Sequence, residues 1–304
     1  PEKYVVSEAK FDITGTKLVD DDKELANKVA DTNANPYADD ASNNEKQNLN
    51  TKTVNRGDKL VYQVWLDTTK FDANNKDHIQ SVGISDDYDE AKVDVDGSAI
   101  KAYDGKTGAD VTDKFDITVN NGVITANLKD GFTKSLGDAE NTQIIDTTKF
   151  EFGRYYKFDI PATVKDDVVA GADIENTANQ TIHQYNPYNK KVTTPNKPTQ
   201  TRENNVPVPL EFDYTKRLEG RELTAGEFSF VLKDQNNKVL QTVTNDKDGH
   251  IKFEKLLFSK ADLGKTFTYT VEEVPGKDTT VSYDGMVAKV TVEVTKEGKV
   301  LKTV

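Results

Sequence analysis

The sequence predicts an all-β protein built as two β-sandwich domains in tandem, joined by a proline-containing linker. Three observations predict it. Apolar and polar residues alternate at period two along most of the 304 residues, and no long stretch repeats at the helical period. Turns rich in Asx and Gly, such as Asn120-Asn121-Gly122 and Asp246-Lys247-Asp248-Gly249, separate the alternating runs at short intervals. Prolines recur at positions 187, 195, 198, 207 and 209 among Asn, Thr and Lys, a composition that favours an extended, stiff connector. Residues 1–186 are therefore read as the first domain, 187–206 as the linker and 207–304 as the second domain.

In the first domain, Lys3 and Val5 share a face of a short run, with Lys10 as a rival inward lysine. Lys10 shares its own face with Asp12 and Thr14, which reads as solvated. Residues 19–55 are rich in Asp, Asn and Lys, and are expected to form a surface insertion with one short helix near Lys23 to Val29. Leu60, Tyr62, Val64 and Leu66 then form one strand face, with Trp65 on the opposite face, where packing is expected rather than sugar stacking. Val82, Ile84, Asp86 and Tyr88 alternate inward, as do Tyr156, Phe158 and Ile160, and finally Ile174, Asn176 and Ala178.

The second domain follows the same rule. Phe212, Tyr214, Lys216 and Leu218 share a face, while Asp213, Thr215 and Arg217 take the other. Phe228, Phe230 and Leu232 make the next strand, and Phe267, Tyr269, Val271 and Glu273 another. Met286, Ala288, Val290, Val292 and Val294 read as a long half-buried strand.

Composition narrows the function classes. A net charge of −12 disfavours nucleic acid and anionic membranes as partners. No apolar run is long enough to span a bilayer, and no signal-peptide pattern opens the sequence. Cysteine is absent, so disulfides cannot staple these domains. The three histidines, at 78, 183 and 250, have no zinc spacing and no neighbouring nucleophile motif. Phosphate-binding glycine loops are also absent, and nothing singles out a glycosidase carboxylate pair. An enzyme acting on external substrates is not expected.

The informative residues are the ionisable ones in apolar register. Lys216 and Glu273 fall on core faces of the second domain, and Asp86 with Asn176 on core faces of the first. A buried charge costs heavily unless paired, although a long side chain at a strand end can reach water. Lysine, carboxyl and asparagine meeting in a dry core support one reaction. Burial favours the neutral amine, a nucleophile, and the neutral acid, which can polarise the carboxamide and pass a proton to departing ammonia. The product is a Lys–Asn isopeptide bond, formed once by self-modification.

The first domain resembles the C-terminal domains of the antigen I/II family of streptococcal surface adhesins. The resemblance rests on Lys3 to Gly15, Gly57-Asp58-Lys59-Leu60-Val61-Tyr62, Ile84-Ser85-Asp86, Asp110-Val111-Thr112 and Ile174-Glu175-Asn176-Thr177-Ala178. It implies Lys3 as the linking lysine, Asp86 as the assisting acid and Asn176 as the acceptor. The insertion after Gly15 departs from the simplest form of that pattern.

The second domain resembles the pilin isopeptide-linkage domains of Gram-positive pili, which have a CnaB-like fold. Its signatures are Tyr214-Thr215-Lys216, Ala225-Gly226-Glu227-Phe228-Ser229-Phe230 and Tyr269-Thr270-Val271-Glu272-Glu273. The resemblance implies that Lys216 is the linking lysine and Glu273 the acid. No Asn follows Asn245, so the final strand with its acceptor is expected to be missing or donated by another segment.

Together the resemblances imply immunoglobulin-like sandwiches in an extracellular, cell-wall-anchored adhesin of a Gram-positive bacterium. The segment is expected to act as a cross-linked stalk beside neighbouring adhesin domains and to support host adhesion. A second expectation is a module that itself binds a host glycoprotein or matrix protein through residues 19–55. No cofactor is required. Asp31, Asn33, Asn35 and Asp39 place oxygen ligands at alternate positions, as in a calcium loop. The glycine and glutamate of an EF-hand are missing there, which leaves a simpler calcium site or a solvated acidic loop.

Overall fold

A computed structural model describes residues 2–7, 49, 53–69, 71, 79–188, 191–193, 197–198 and 201–304. The described chain is nearly all β, its helical turns being short 3-10 segments such as Gly97–Ala99 and Lys260–Asp262. It groups into two compact units, Pro1–Val168 with Ile174–Asn204, and Val169–Asp173 with Asn205–Val304.

Unit 1 holds β1 (Glu2–Ser7), β2 (Lys59–Asp67), β3 (Ile79–Tyr88), β4 (Val93–Val95) and β5 (Lys101–Asp104). It continues with β6 (Phe115–Asn120), β7 (Val123–Leu128), β8 (Thr133–Ser135), β9 (Gln143–Ile145) and β10 (Tyr155–Val164). The long β11 (Asp173–Asn186), β12 (Lys191–Thr193), β13 (Lys197–Pro198) and β14 (Arg202–Asn205) follow. One sheet runs β1-β2-β10-β4, with β5 also on β10, and the other runs β12-β11-β3-β7-β6. The small β8-β9 ribbon is not hydrogen-bonded into either sheet, and its Ile144 and Ile145 are buried.

The inner faces are those the alternation predicts, because successive side chains of a strand point to opposite sides. Leu60, Tyr62, Val64, Leu66, Phe158 and Ile160 are buried from one sheet, and Val82, Ile84, Ile124, Ala126, Ala178 and Ile182 from the other. Strands β2 and β10 are buried on both faces, so their outer residues Gln63, Trp65, Lys157 and Asp159 are also enclosed. Trp65 is thus a packed residue, with the Lys157 ammonium 5.9 Å from its ring centre.

The segment 187–206, expected as an extended, stiff connector, pairs instead with a strand of unit 1. Strands β12, β13 and β14 all pair with β11, with Tyr185 opposite Val192 and Asn179 opposite Pro198. Proline lacks a donor but is tolerated at a sheet edge, where one side of the strand needs no partner. A Pro-rich composition therefore fits an edge ribbon as well as a connector. The short helix near Lys23 to Val29, the rival Lys10 and His78 lie outside the described residues, as does all of the 19–55 insertion except 49 and 53–55.

Unit 2 holds β15 (Val208–Leu210), β16 (Asp213–Thr215), β17 (Ser229–Lys233), β18 (Val239–Thr244) and β19 (His250–Lys252). After these come β20 (Leu256–Phe258), β21 (Thr266–Val274), β22 (Val287–Glu297) and β23 (Val300–Thr303). Its main sheet runs β18-β17-β21-β22-β23, with ribbons β15-β20 and β16-β19 beside it. Phe212, Phe228, Phe230, Leu232, Ile251, Tyr269, Val271, Val292 and Val294 form its core. Met286, expected to open the long strand, is exposed and precedes β22 by one residue.

Candidate isopeptide sites

In unit 1, β1 pairs antiparallel with β2, and Lys3 lies opposite Val64. That register puts Lys3 on the inner face beside Val64 and Phe158. Its side chain crosses the core to the facing sheet, where the ammonium pairs with Asp86 Oδ2 and donates to Asn176 Oδ1. Asp86 lies on β3 opposite Ala178, and Asn176 is two residues from Ala178 on the same face of β11. The amine, the acid and the carboxamide thus come from three strands of two sheets.

This site is dry. Lys3 and Asp86 are 0% exposed and Asn176 is 1% exposed. Asp86 Oδ1 and Asn176 Nδ2 have no hydrogen-bond partner among the described residues. A buried ion pair with unsatisfied polar atoms is costly, because little offsets the lost hydration.

Tyr62 completes the wall, with its ring centre 5.1 Å from Lys3 Nζ. Burial, reinforced by the Asp86 charge, pushes its phenol well above the usual tyrosine range. The approach of the Asn176 side chain acts in the opposite direction. In sequence Tyr62 reads only as a core residue, since nothing in an alternating run shows where a hydroxyl points.

Alternation also missed the Lys157–Asp159 pair on the outer face of the same sheet. Lys157 Nζ is 3.0 Å from Asp159 Oδ2, and each side chain is 3% exposed. Lys157 Nζ lies 5.1 Å from the Tyr103 ring centre. Burial raises the Asp159 carboxyl pKa, partly countered by Lys157. In sequence these residues occupy the polar positions of a half-exposed pattern, and only β10's burial on both faces makes them internal.

In unit 2, Lys216 directly follows β16, and its backbone N–H donates to Gly249 O at 2.7 Å. Gly249 has φ +87°, and a Cβ there would stand 2.2 Å from the Lys216 carbonyl oxygen, so the turn before β19 holds that backbone closely. Lys216 Nζ lies 2.6 Å from Glu273 Oε2, with side chains 11% and 3% exposed. The ammonium also lies 4.4 Å from the Phe228 ring centre. The neighbouring Glu272 faces the other way and pairs with Lys233.

No carboxamide joins Lys216 and Glu273 among the described residues, and Glu273 Oε1 is buried without a partner there. Asn245 is buried nearby in sequence, but its amide is fully engaged with the backbone. It donates to Thr224 O at 2.9 Å and Asp246 O at 2.8 Å, and accepts from Phe228 N at 2.8 Å.

The four candidate calcium ligands, Asp31, Asn33, Asn35 and Asp39, lie outside the described residues. Among the described residues no cluster of three or more His, Cys, Asp or Glu could hold a metal ion. No helix among them is long and apolar enough to cross a membrane.

Residues 36–196 match the family described as Cell surface antigen I/II C2 terminal domain, a span that contains Asp86 and Asn176 and begins after Lys3. Residues 212–304, with both Lys216 and Glu273, match the Spy0128-like isopeptide containing domain. Both are structural modules rather than enzymes. The aggregation substance of Enterococcus faecalis (strain ATCC 700802 / V583) is 29% identical over 153 residues, which cover 44% of this chain and 11% of that protein.

Among solved structures, the major pilin subunit BcpA of Bacillus cereus is 18% identical with a TM-score of 0.37, covering 80% of this chain and 63% of the pilin. The major pilin SpaD of Corynebacterium diphtheriae is 12% identical with a TM-score of 0.38, covering 78% of this chain and 56% of the pilin.

Proposed function

Since the chain belongs to the Cell surface antigen I/II C2 terminal domain family, we propose that it is a stalk segment of a cell-wall-anchored bacterial adhesin, stiffened by an amide between Lys3 and Asn176. The observation behind this reading is the convergence of an amine, an acid and a carboxamide in a dry core, with Lys3 Nζ touching both partners. Asp86 takes a proton from Lys3 Nζ, and the neutral amine adds to Asn176 Cγ. The protonated acid polarises the carbonyl and delivers a proton to the departing nitrogen, which leaves as ammonia.

The bond would join β1 to β11 across the core, and so tie the two sheets of unit 1 together. Tension applied beyond these strands would then pass through a covalent path, and the hydrogen-bond ladders between them would be spared. That property suits a projecting stalk alongside other adhesin domains and serves host adhesion indirectly. In unit 2, Lys216 and Glu273 supply the amine and acid of the same chemistry, and the carboxamide would have to come from a further strand.

Intact-mass spectrometry tests the proposal. Wild type is expected to weigh less than its sequence by one ammonia, and Asp86→Ala to keep the full sequence mass. A wild-type chain that retains its full mass after folding would falsify the unit 1 cross-link.

A further inference from the structure

Lys3 enters the core from an end strand. Among the described strands β1 pairs with β2 alone. Docking β1 carries a lysine into a core where Asp86 Oδ1 has no hydrogen-bond partner among the described residues. Until the bond forms, that burial opposes docking, and a strand held along one edge opens more readily than one held along both.

A short relay of hydrogen bonds reaches β1 from outside its sheet. Leu49 N donates to Val5 O at 2.7 Å. Asn204 Nδ2 in turn donates to Leu49 O at 2.6 Å. Asn204 is 1% exposed and lies on β14, which pairs with β11. On that pair the Thr177 and Thr201 hydroxyl oxygens lie 2.7 Å apart, so β14 is fastened beside Asn176. The relay runs from the strand of the acceptor, through Asn204 and Leu49, to the strand of the lysine, and all of it lies within unit 1. Leu49 belongs to the 19–55 insertion, which thus supplies one link.

We infer that Asn204 is a positioning residue for the unit 1 cross-link, its carboxamide bracing β1 toward β11 so that Lys3 stays within reach of Asn176; this rests on the reading that Lys3 and Asn176 form an amide. Val5 is two residues from Lys3, and both are fully buried on the same face. Restraining the Val5 carbonyl therefore restrains the backbone from which Lys3 projects. Attack requires Nζ within about 3–3.5 Å of Asn176 Cγ, and a misplacement of about 1 Å can cost about a hundredfold in rate. Asn204 acts through the backbone; it exchanges no proton and forms no bond in the reaction.

The test is the rate of ammonia loss per folded molecule. Chains that carry their full sequence mass in urea are diluted into refolding buffer. Trp65, the only tryptophan, reports the folding of unit 1 by fluorescence, and acid-quenched samples are weighed over time. Asn204→Leu nearly keeps the side-chain volume and removes the donor. Leu49→Pro removes the N–H that meets Val5 O. Each is expected to slow cross-linking about tenfold once unit 1 has folded, the worth of one buried hydrogen bond. The double variant is expected to be no slower than the slower single one, because either change breaks the same relay.

A merely structural role would lower the folded fraction and leave the rate per folded molecule unchanged. An Asn204→Leu rate within about twofold of wild type overturns the inference, being worth less than the weakest such hydrogen bond. So does a double variant slowed by the product of the two single effects. If one variant does not refold, the other is judged by the same twofold limit. Absence of ammonia loss in wild type refutes the amide itself, and the inference falls with it.

Discussion

Replacing Asn176 by alanine isolates the worth of the proposed bond. The substitution removes the acceptor while leaving the Lys3–Asp86 ion pair in place. The cost of about 3–5 kcal/mol for stranding a buried charge therefore does not arise. Lys3 and Asn176 are 173 positions apart. Closing a loop of that length restricts the unfolded chain by about 5 kcal/mol, by analogy with disulfides and in the chain-entropy model. Loss of the carboxamide's contacts adds about 1 kcal/mol.

For a unit of this size each kcal/mol moves the midpoint by about 2–4 °C, so the expected fall is roughly 12–24 °C. Trp65 is the only tryptophan and lies in unit 1, so its fluorescence reports that unit's melting alone. Mass spectra on the same samples establish which chains carry the bond. A fall of less than about 4 °C, with the bond present in wild type and absent in the variant, would refute the loop-closure argument.

Two further outcomes follow from the buried pairs. Glu273→Gln should destabilise unit 2 by about 3 kcal/mol, because it leaves the Lys216 ammonium without its counter-charge. Hydrogen exchange at β21 amides during urea titration measures this, and unchanged protection would show that Lys216 finds water instead. For Asp159, burial raises the folded carboxyl's pKa above its unfolded value, with Lys157 opposing. The folded state therefore binds the extra proton between those two values, and this group's contribution to stability falls as pH rises through that window. Wild type should gain on Asp159→Asn as pH drops from neutral toward the ordinary Asp range; a pH-independent difference in urea midpoints would contradict the assignment.

The inward faces were legible because side-chain direction in a strand follows from geometry alone. Asp86, Asn176, Lys216 and Glu273 stood out as polar residues in apolar register, and the structure places all four at least largely inside. The run holding Lys3 was too short to choose between Lys3 and Lys10, since two or three alternations do not fix a face. Lys157 and Asp159 were invisible for the opposite reason. They obey the polar-outward rule, and only a second covering of the sheet buries them, a tertiary fact with no local signature. The 187–206 segment misled because proline excludes a central strand but permits an edge, and composition alone cannot tell an edge ribbon from a connector.

What separates the two units is the carboxamide rather than the charge pair. Both place a lysine against an acid and an aromatic ring in a largely dry setting. In unit 1 a carboxamide meets the amine with its nitrogen unengaged, so losing ammonia from Asn176 breaks no described hydrogen bond. In unit 2 Asn245 spends its oxygen and both N–H groups on the backbone between Thr224 and Phe228. Converting it to an amide with Lys216 would strip two backbone carbonyls of their donor, at about 1–3 kcal/mol for each buried group left unsatisfied. A reacting asparagine has to be one the fold does not need for its own hydrogen bonds, and Asn176 meets that condition where Asn245 does not.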